Sequence, residues 1–247
     1  MISFASDYIA GAHPVIMQRL LETNMENLSG YGTDQYCAQA KEKIKQAFQC
    51  PDGEVFFLVG GTQTNQVIIS TMLAPYEGVI AAKTGHVSVH EAGAIEYSGH
   101  KVIELEEKDG KLAAEDIKKC IEDFYLDDNH EHMVYPGMVY ISFPTEYGTL
   151  YSKQELTEIS NVCRNYEIPL FIDGARLGYG IESKENNLRP EEIAELCDVF
   201  YIGGTKVGAL CGEAVVFPHH NTPKTFCDTD QAKRRIISEG KIAGNPV

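Results

Sequence analysis

Short apolar runs of strand length alternate along the chain with longer stretches in which apolar residues recur at helical spacing. Runs bounded by Gly, Pro or polar residues are typical of buried strands, whereas spacings of three and four are typical of amphipathic helices. The pattern predicts strands at 54–59, 79–82, 101–105, 138–143, 169–173, 199–202 and 213–217. It predicts helices at 14–25, 35–48, from the 60–65 segment to 72 or 73, 112–125, 152–167 and 189–196. This alternation predicts an α/β fold with a mostly parallel, doubly wound sheet.

The composition and charge of the chain exclude two classes of binding partner. The chain has 247 residues, with 36 Asp and Glu against 21 Lys and Arg, and a formal charge of -15. Because that charge repels phosphate backbones and anionic lipid, we expect neither nucleic acid nor a membrane as a partner. The seven cysteines are odd in number and include no Cys-x-x-Cys, which predicts free thiols in a reducing, cytoplasmic location. His130-x-His132 and His219-His220 lack acidic or Cys partners at ligand spacing, so we expect no metal site.

A segment of glycines and polar residues, Gly60-Gly-Thr-Gln-Thr-Asn65, follows the first predicted strand and leads into a helix. Glycines let the backbone approach a ligand, and the first N–H groups of a helix point at a bound anion. This order of elements indicates a phosphate site that includes Gly61 and Thr62. Taken alone, the segment leaves another interpretation open, since Thr62 could equally be an ordinary helix N-cap.

Two further strand ends carry a carboxylate and an amine. Asp173 ends the apolar run 169–173, and Lys206 follows the run 199–202 and a glycine pair. The carboxyl ends of parallel strands meet at one edge of an open sheet, where ligands bind. We therefore expect both groups in one cleft, with the lysine available to form a Schiff base with an aldehyde. Taken alone, Lys206 could also be a solvated loop lysine.

Pyridoxal 5′-phosphate needs all three of these groups. Its phosphate suits a helix N-terminus, its aldehyde reacts with a lysine, and its ring nitrogen requires a carboxylate partner. The sequence therefore predicts this molecule as the cofactor. A plain nucleotide-binding domain is the weaker alternative, because no Gly-x-Gly-x-x-Gly follows a strand and no Gly-Lys-Ser/Thr loop is present.

The chain resembles the threonine aldolase/β-eliminating lyase family, which has the aspartate-aminotransferase-like fold of fold type I. Five motifs stand in the family's order: Gly60-Gly-Thr-Gln-Thr-Asn65, His86-x-x-x-x-Glu91-x-Gly93, Pro144-Thr-Glu-Tyr-Gly-Thr-Leu-Tyr151, Asp173-Gly-Ala-Arg176 and Gly204-Thr-Lys206. The Ser6-Asp7 and Tyr31-Gly32-x-Asp34 stretches are also similar to its N-terminal segments. The likeness covers most of residues 1 to about 223, and the motifs are specific as a set although each alone is weak.

The resemblance implies a role for each matching position. Lys206 is expected to bond the cofactor covalently, and Asp173 is expected to pair with its ring nitrogen. His86 is expected to stack on the ring and to act as the candidate base. The resemblance further implies cofactor contacts from Gly61, Thr62 and Thr205 and substrate contacts from Ser6, Tyr31 and Arg176. From the residues alone, His86 could be a satisfied loop histidine, and Tyr31 could simply hold its own loop.

The resemblance also sets an expectation for domains, because such relatives continue into a small C-terminal domain that supplies a further arginine. We expect an N-terminal segment at 1–25, a cofactor-binding large domain at 26–223 and an atypical tail at 224–247, with the small domain missing.

The expected activity is the cleavage of a β-hydroxy-α-amino acid, threonine or allo-threonine, to glycine and acetaldehyde. β-Elimination, transamination and a cofactor-binding chain without activity are the alternatives. Because active sites of this fold lie at a two-fold interface, we expect a homodimer or homotetramer.

Overall fold

A computed structural model describes residues 5–227 of the chain. Its helices are α1 (Pro14–Thr23), α2 (Gln35–Ala47), α3 (Gly61–Met72), α4 (His86–Val89), α5 (Ala94–Tyr97), α6 (Ala114–Leu126), α7 (Lys153–Asn165), α8 (Leu177–Ile181) and α9 (Pro190–Leu196). Its strands are β1 (Glu54–Leu58), β2 (Glu77–Ala82), β3 (Val102–Leu105), β4 (Tyr135–Ser142), β5 (Leu170–Asp173), β6 (Val199–Gly203) and β7 (Glu213–Phe217).

The seven strands of the described part form one sheet in the order β1-β7-β6-β5-β4-β2-β3. The pairs β2–β3, β2–β4, β4–β5 and β5–β6 are parallel, whereas β7 pairs antiparallel with both β1 and β6. The predicted mostly parallel α/β sheet is therefore confirmed. The parallel strands β4, β5 and β6 end at the same edge, which brings Ser142, Asp173 and Gly203 together.

The core lies on both faces of this sheet, as doubly wound folds require. Neighbouring residues of one strand point to opposite faces, so Val79 and Ile80 belong to different apolar clusters. The first cluster includes residues of α2, α6, α7 and α9, and the second includes residues of α3, α4 and α5. Each face of the sheet is thus covered by helices, which explains why the central strands are almost wholly apolar.

Helix boundaries follow their sequence signals where those signals exist. Ser152 caps α7 in a capping box, in which Glu155 N–H donates to Ser152 Oγ at 3.2 Å and Ser152 N–H donates to Glu155 Oε2 at 2.7 Å. The four- and five-residue helices α4 and α8 were not predicted, because helices this short show no hydrophobic period. A 3₁₀ turn, His130–His132, also lies in a segment predicted as loop.

A close backbone crossing holds β5 and β6 together at the edge where the site forms. Gly203 N–H donates to the Gly174 carbonyl at 2.9 Å. A Cβ added at Gly174 would lie 1.9 Å from the carbonyl oxygen of Tyr201, and one added at Gly203 would lie 2.3 Å from that of Ala175. Only glycine permits this approach, which fixes the distance between the turn after Asp173 and the turn before Lys206.

We expect Gly174→Ala to destabilise the fold by about 3 kcal/mol, at the upper end of overpacking costs, because the clash is with backbone. Gly178→Ala is the matched control, since its added Cβ would come no nearer than 3.8 Å to a Val207 methyl group. Urea unfolding midpoints of the two variants measure the difference. Equal midpoints would show that the crossing of β5 and β6 is not constrained as described.

Candidate active site

A cleft of about 420 Å³ opens at the carboxyl edge of β4, β5 and β6. Seven of the residues predicted from the sequence line it: Gly61, Thr62, His86, Asp173, Arg176, Thr205 and Lys206. A larger groove of about 720 Å³ lies beside β3 and α6 at the far edge of the sheet, but it contains none of the predicted residues. The convergence of amine, carboxylates, imidazole and guanidinium identifies the smaller cleft as the candidate site.

Asp173 is the buried centre of the site. Its Oδ1 accepts hydrogen bonds from Ala175 N–H at 2.9 Å and the Tyr201 hydroxyl at 2.5 Å. Its Oδ2 accepts from Asn65 Nδ2 at 2.9 Å and the Tyr140 hydroxyl at 2.6 Å. Burial, as the largest cause, and the charge of Asp173, as the second, raise the pKa of Tyr140 and of Tyr201 well above the usual value for tyrosine. Both hydroxyl groups therefore stay protonated and remain donors. Four bonds fill the usual acceptor capacity of a carboxylate, so a further donor must share an oxygen with one of these groups.

Asn65 links Asp173 to a second buried acid. Its Nδ2 also donates to Glu91 Oε1 at 2.8 Å, and the same oxygen lies 2.9 Å from His86 Nδ1. The hydrogen bond that His86 makes to the Glu91 carboxylate raises the pKa of His86, although burial opposes the shift. A continuous chain, Asp173–Asn65–Glu91–His86, therefore fixes the imidazole ring at the wall of the cleft. The sequence assigned no role to Asn65 or Glu91, although both stand in motifs of the family.

The predicted phosphate site is the first turn of α3. The N-cap of this helix is Gly60, whose extended backbone provides no side-chain cap. Thr62 is thus not the N-cap, and that alternative is wrong. The uncapped N–H groups of the first turn and the helix dipole favour an anion there. A Cβ added at Gly61 would lie 3.2 Å from the Tyr201 hydroxyl, so the glycine keeps this wall of the cleft open.

Lys206 is half-buried, and its Nζ makes no hydrogen bond or ion pair with another residue of the described range 5–227. The turn before it is held by Glu213 on β7. Glu213 Oε1 accepts from the Thr205 hydroxyl at 2.8 Å, and Oε2 accepts from Gly204 N–H at 3.1 Å. Burial raises the pKa of Glu213 to about 7. Glu213 lines the cleft but was not predicted, because the contact depends on the antiparallel pairing of β6 and β7.

Arg176 forms an ion pair through Nε with Asp7 of the N-terminal segment. Burial raises the pKa of Asp7, but the hydrogen bond and charge of Arg176 outweigh it and lower the pKa overall. The charge of Arg176, which was predicted to contact the substrate, is therefore already balanced by Asp7, a residue to which the sequence assigned no role.

The remaining predicted substrate residues do not line this cleft. Ser6 is half-buried beside Asp7, and its hydroxyl accepts only a long bond of 3.5 Å from Tyr8 N–H. Tyr31 is 69% exposed on a loop with positive φ. The substrate roles of Ser6 and Tyr31 stay predictions. Glu146, which the sequence left without a role, does line the cleft.

The described residues contain neither a membrane-spanning helix nor a cluster of metal ligands. Among residues 5–227, no helix is long and apolar enough to cross a membrane. No group of three His, Cys, Asp or Glu side chains in the same range could hold a metal ion. All seven cysteines fall within the described residues, and none of them forms a disulfide there.

The pKa of Glu213 predicts a pH dependence of stability. Its folded pKa, about 7, lies above the ordinary value of 4.5, so the folded state binds the proton more tightly. This contribution is present below pH 4.5 and is lost as the pH rises towards 7, by on the order of 2 kcal/mol. The stability advantage of the native chain over Glu213→Gln should therefore shrink between pH 5 and 8 in urea titrations. The exposed Glu104→Gln serves as control, and a constant difference for Glu213→Gln would contradict the assignment.

Comparison with known proteins places this geometry in a family. The family model described as Beta-eliminating lyase matches residues 3–238. The low specificity L-threonine aldolases of Pseudomonas aeruginosa and of a Pseudomonas sp. are 33% and 32% identical over 227 residues, which is 90% of this chain and 64% of each relative. The chain thus spans less than two thirds of the length of these relatives.

Solved structures support the same assignment. The threonine aldolase of Leishmania major superimposes with a TM-score of 0.94 at 41% identity, covering 99% of this chain and 70% of that one. An aspartate aminotransferase of Thermus thermophilus superimposes with a TM-score of 0.72 at 16% identity, covering 97% and 62%. The latter likeness concerns the fold alone and confirms the predicted fold type I. The chain belongs to the beta-eliminating lyase family.

Proposed function

We propose that this chain binds pyridoxal 5′-phosphate and cleaves a β-hydroxy-α-amino acid, such as threonine or allo-threonine, to glycine and acetaldehyde. The observation that carries the proposal is that Lys206 and Asp173 line one cleft beside the uncapped first turn of α3. The similarity to the threonine aldolases from Pseudomonas and Leishmania supports the choice of reaction. The cystalysin of Treponema denticola, which has the same fold, contains this cofactor.

The residues present fit the cofactor. The first turn of α3, with Gly61 and Thr62, would hold the phosphate, because its N–H groups lack a side-chain cap. Asp173 would face the ring nitrogen, and the imidazole of His86 would contact the ring. Thr205 is held by Glu213 at the opposite wall. Since the chain carries a charge of -15, an anionic cofactor depends on these local donors rather than on the overall field.

The bound cofactor would withdraw the electron pair left on the substrate's α-carbon when the Cα–Cβ bond breaks. The protein's own residues bind and orient the substrate around that bond. Arg176 would pair with the substrate carboxylate, sharing its guanidinium with Asp7. Lys206, which has no partner for Nζ in residues 5–227, would bond the cofactor and later return a proton. Two groups of the cleft, His86 and Glu146, can accept the proton of the substrate's hydroxyl.

β-Elimination is a second candidate, favoured by the family to which the chain belongs. The same amine, carboxylate and phosphate site would support it and transamination. Pyruvate and ammonia formed from a β-substituted amino acid would identify elimination. A chain that binds the cofactor without turnover is the remaining alternative.

We also propose a homodimer or a tetramer of dimers in the cytoplasm. Large apolar side chains are exposed in the first 31 residues, including Tyr8, Ile9, Val15, Leu21, Met25 and Tyr31. A patch of this kind suits burial in an interface close to the cleft. The free thiols support a reducing compartment. Light scattering of the purified chain measures the assembly, and a monomer would contradict it.

The native chain should gain an absorbance band with pyridoxal 5′-phosphate, and after borohydride reduction it should keep the cofactor attached, with the band shifted to shorter wavelength. Lys206→Ala should lose both the band and the attached cofactor. The reason is that, among residues 5–227, Lys206 is the one lysine that lines the cleft. Absorbance spectra before and after reduction and gel filtration measure the effect. Lys184→Ala, a change at an exposed lysine, should behave like the native chain. Retained reduced absorbance in Lys206→Ala would refute the assignment of the amine.

The purified chain, loaded with cofactor, should release acetaldehyde and glycine in equal amounts from threonine or allo-threonine. Coupled reduction of acetaldehyde and amino-acid analysis measure the two products. The expected rate for Asp173→Asn is lower by about 10²-fold or more, since an uncharged partner cannot hold the ring nitrogen protonated. A fully loaded native chain that forms neither product would contradict the proposed activity.

A further inference from the structure

Glu146 lies in the loop after β4 and lines the cleft. One of its carboxylate oxygens accepts hydrogen bonds from the protein, and the other accepts none from residues 5–227. Its Oε1 accepts from the backbone N–H of His86 at 2.9 Å and from the Ser142 hydroxyl at 2.6 Å. These donors come from the start of α4 and the end of β4, so two elements fix the carboxylate. Glu146 is half-buried and lines the cleft.

The other oxygen of Glu146 is available to a ligand. Oε2 makes no hydrogen bond with any residue of the described range, and it is not among the buried polar atoms without a partner. Since Glu146 lines the cleft and its Oε1 is engaged by β4 and α4, Oε2 is the oxygen left to contact a ligand there. A fixed carboxylate with one free oxygen can accept a proton without first losing a hydrogen bond to the protein.

His86, the base expected from the sequence, is less suited to the task. Its Nδ1 is engaged by Glu91, and this hydrogen bond to the carboxylate raises the pKa of the imidazole. A higher pKa keeps the ring protonated over more of the neutral range, and an imidazolium has no lone pair for another proton. The contact with Glu91 therefore favours His86 as a fixed ring and donor rather than as an acceptor.

Building on the proposed function, we propose that Glu146 is the catalytic residue that accepts the proton of the substrate's β-hydroxyl. The proton passes to Oε2, and the electron pair of the O–H bond becomes the second C–O bond of the aldehyde. The Cα–Cβ bond breaks, and its electron pair stays with the amino-acid carbon, from which a bound cofactor would withdraw it. A proton, which Lys206 would return, then forms the second Cα–H bond of glycine, and Glu146 returns to its ionised form on releasing its own proton.

The charges around Glu146 are consistent with this use. The guanidinium of Arg176, which interacts electrostatically with Glu146, stands on the substrate side. His86, whose backbone N–H donates to Glu146, is a second neighbour. The buried phenols of Tyr140 and Tyr151 also interact electrostatically with Glu146. Burial raises the pKa of both phenols, so neither competes as an acceptor for the proton near neutral pH.

Glu146→Gln tests the role, because the amide oxygen can still accept from His86 and Ser142 but cannot take the proton. We expect kcat for threonine cleavage to fall by about 10²- to 10⁴-fold, which is the usual contribution of a general base. The acid limb of the pH profile of kcat should disappear. The dissociation constants for cofactor and for glycine, followed by absorbance, should stay within about twofold, because neither ligand needs the base.

Two comparisons decide the interpretation. Glu185→Gln, at an exposed glutamate, should match the native chain in every measurement. His86→Phe should keep the acid limb of the pH profile, whatever its effect on cofactor affinity. The role of Glu146 is overturned if Glu146→Gln cleaves threonine within threefold of native, or if the acid limb is lost only in His86→Phe. Failure of the native chain to cleave threonine overturns the proposed function, and this role with it.

Discussion

The buried carboxylate of Asp173 is the interaction on which the rest of the site depends. It lies at the end of β5 and accepts hydrogen bonds from groups on α3, β4, β6 and its own turn. An uncompensated charge at this depth would cost several kcal/mol, so all four donors must be in place for the site to form. The same bonds fix Asn65, and through it Glu91 and His86, so the orientation of the imidazole follows from the carboxylate.

The cleft balances its charges locally although the chain as a whole is strongly acidic. Asp7 pairs with Arg176, and Glu213 holds the turn before Lys206. The first turn of α3 provides the positive end of a helix dipole where a phosphate would lie. An anionic cofactor and an amino-acid carboxylate can therefore enter a protein whose overall charge would otherwise repel them.

The sequence predicted what local patterns encode. All seven strands were found because each is a short apolar run, and strand ends carrying Gly61, Asp173 and Lys206 were expected in one cleft. The residues that hold these groups were missed. Asn65 and Asp173 are 108 positions apart, and Glu146 meets His86 across 60, so only the folded topology brings them together. The short helices α4 and α8 were not predicted because they are shorter than two helical turns.

The protonation state of the cofactor's ring nitrogen tests the central claim most directly. Nitrogen-15 NMR of the chain loaded with ring-labelled pyridoxal 5′-phosphate reports whether that nitrogen carries a proton. We expect a protonated nitrogen in the native chain and an unprotonated one in Asp173→Asn at the same pH. An unprotonated nitrogen in the native chain, or no change on substitution, would show that Asp173 does not hold the ring.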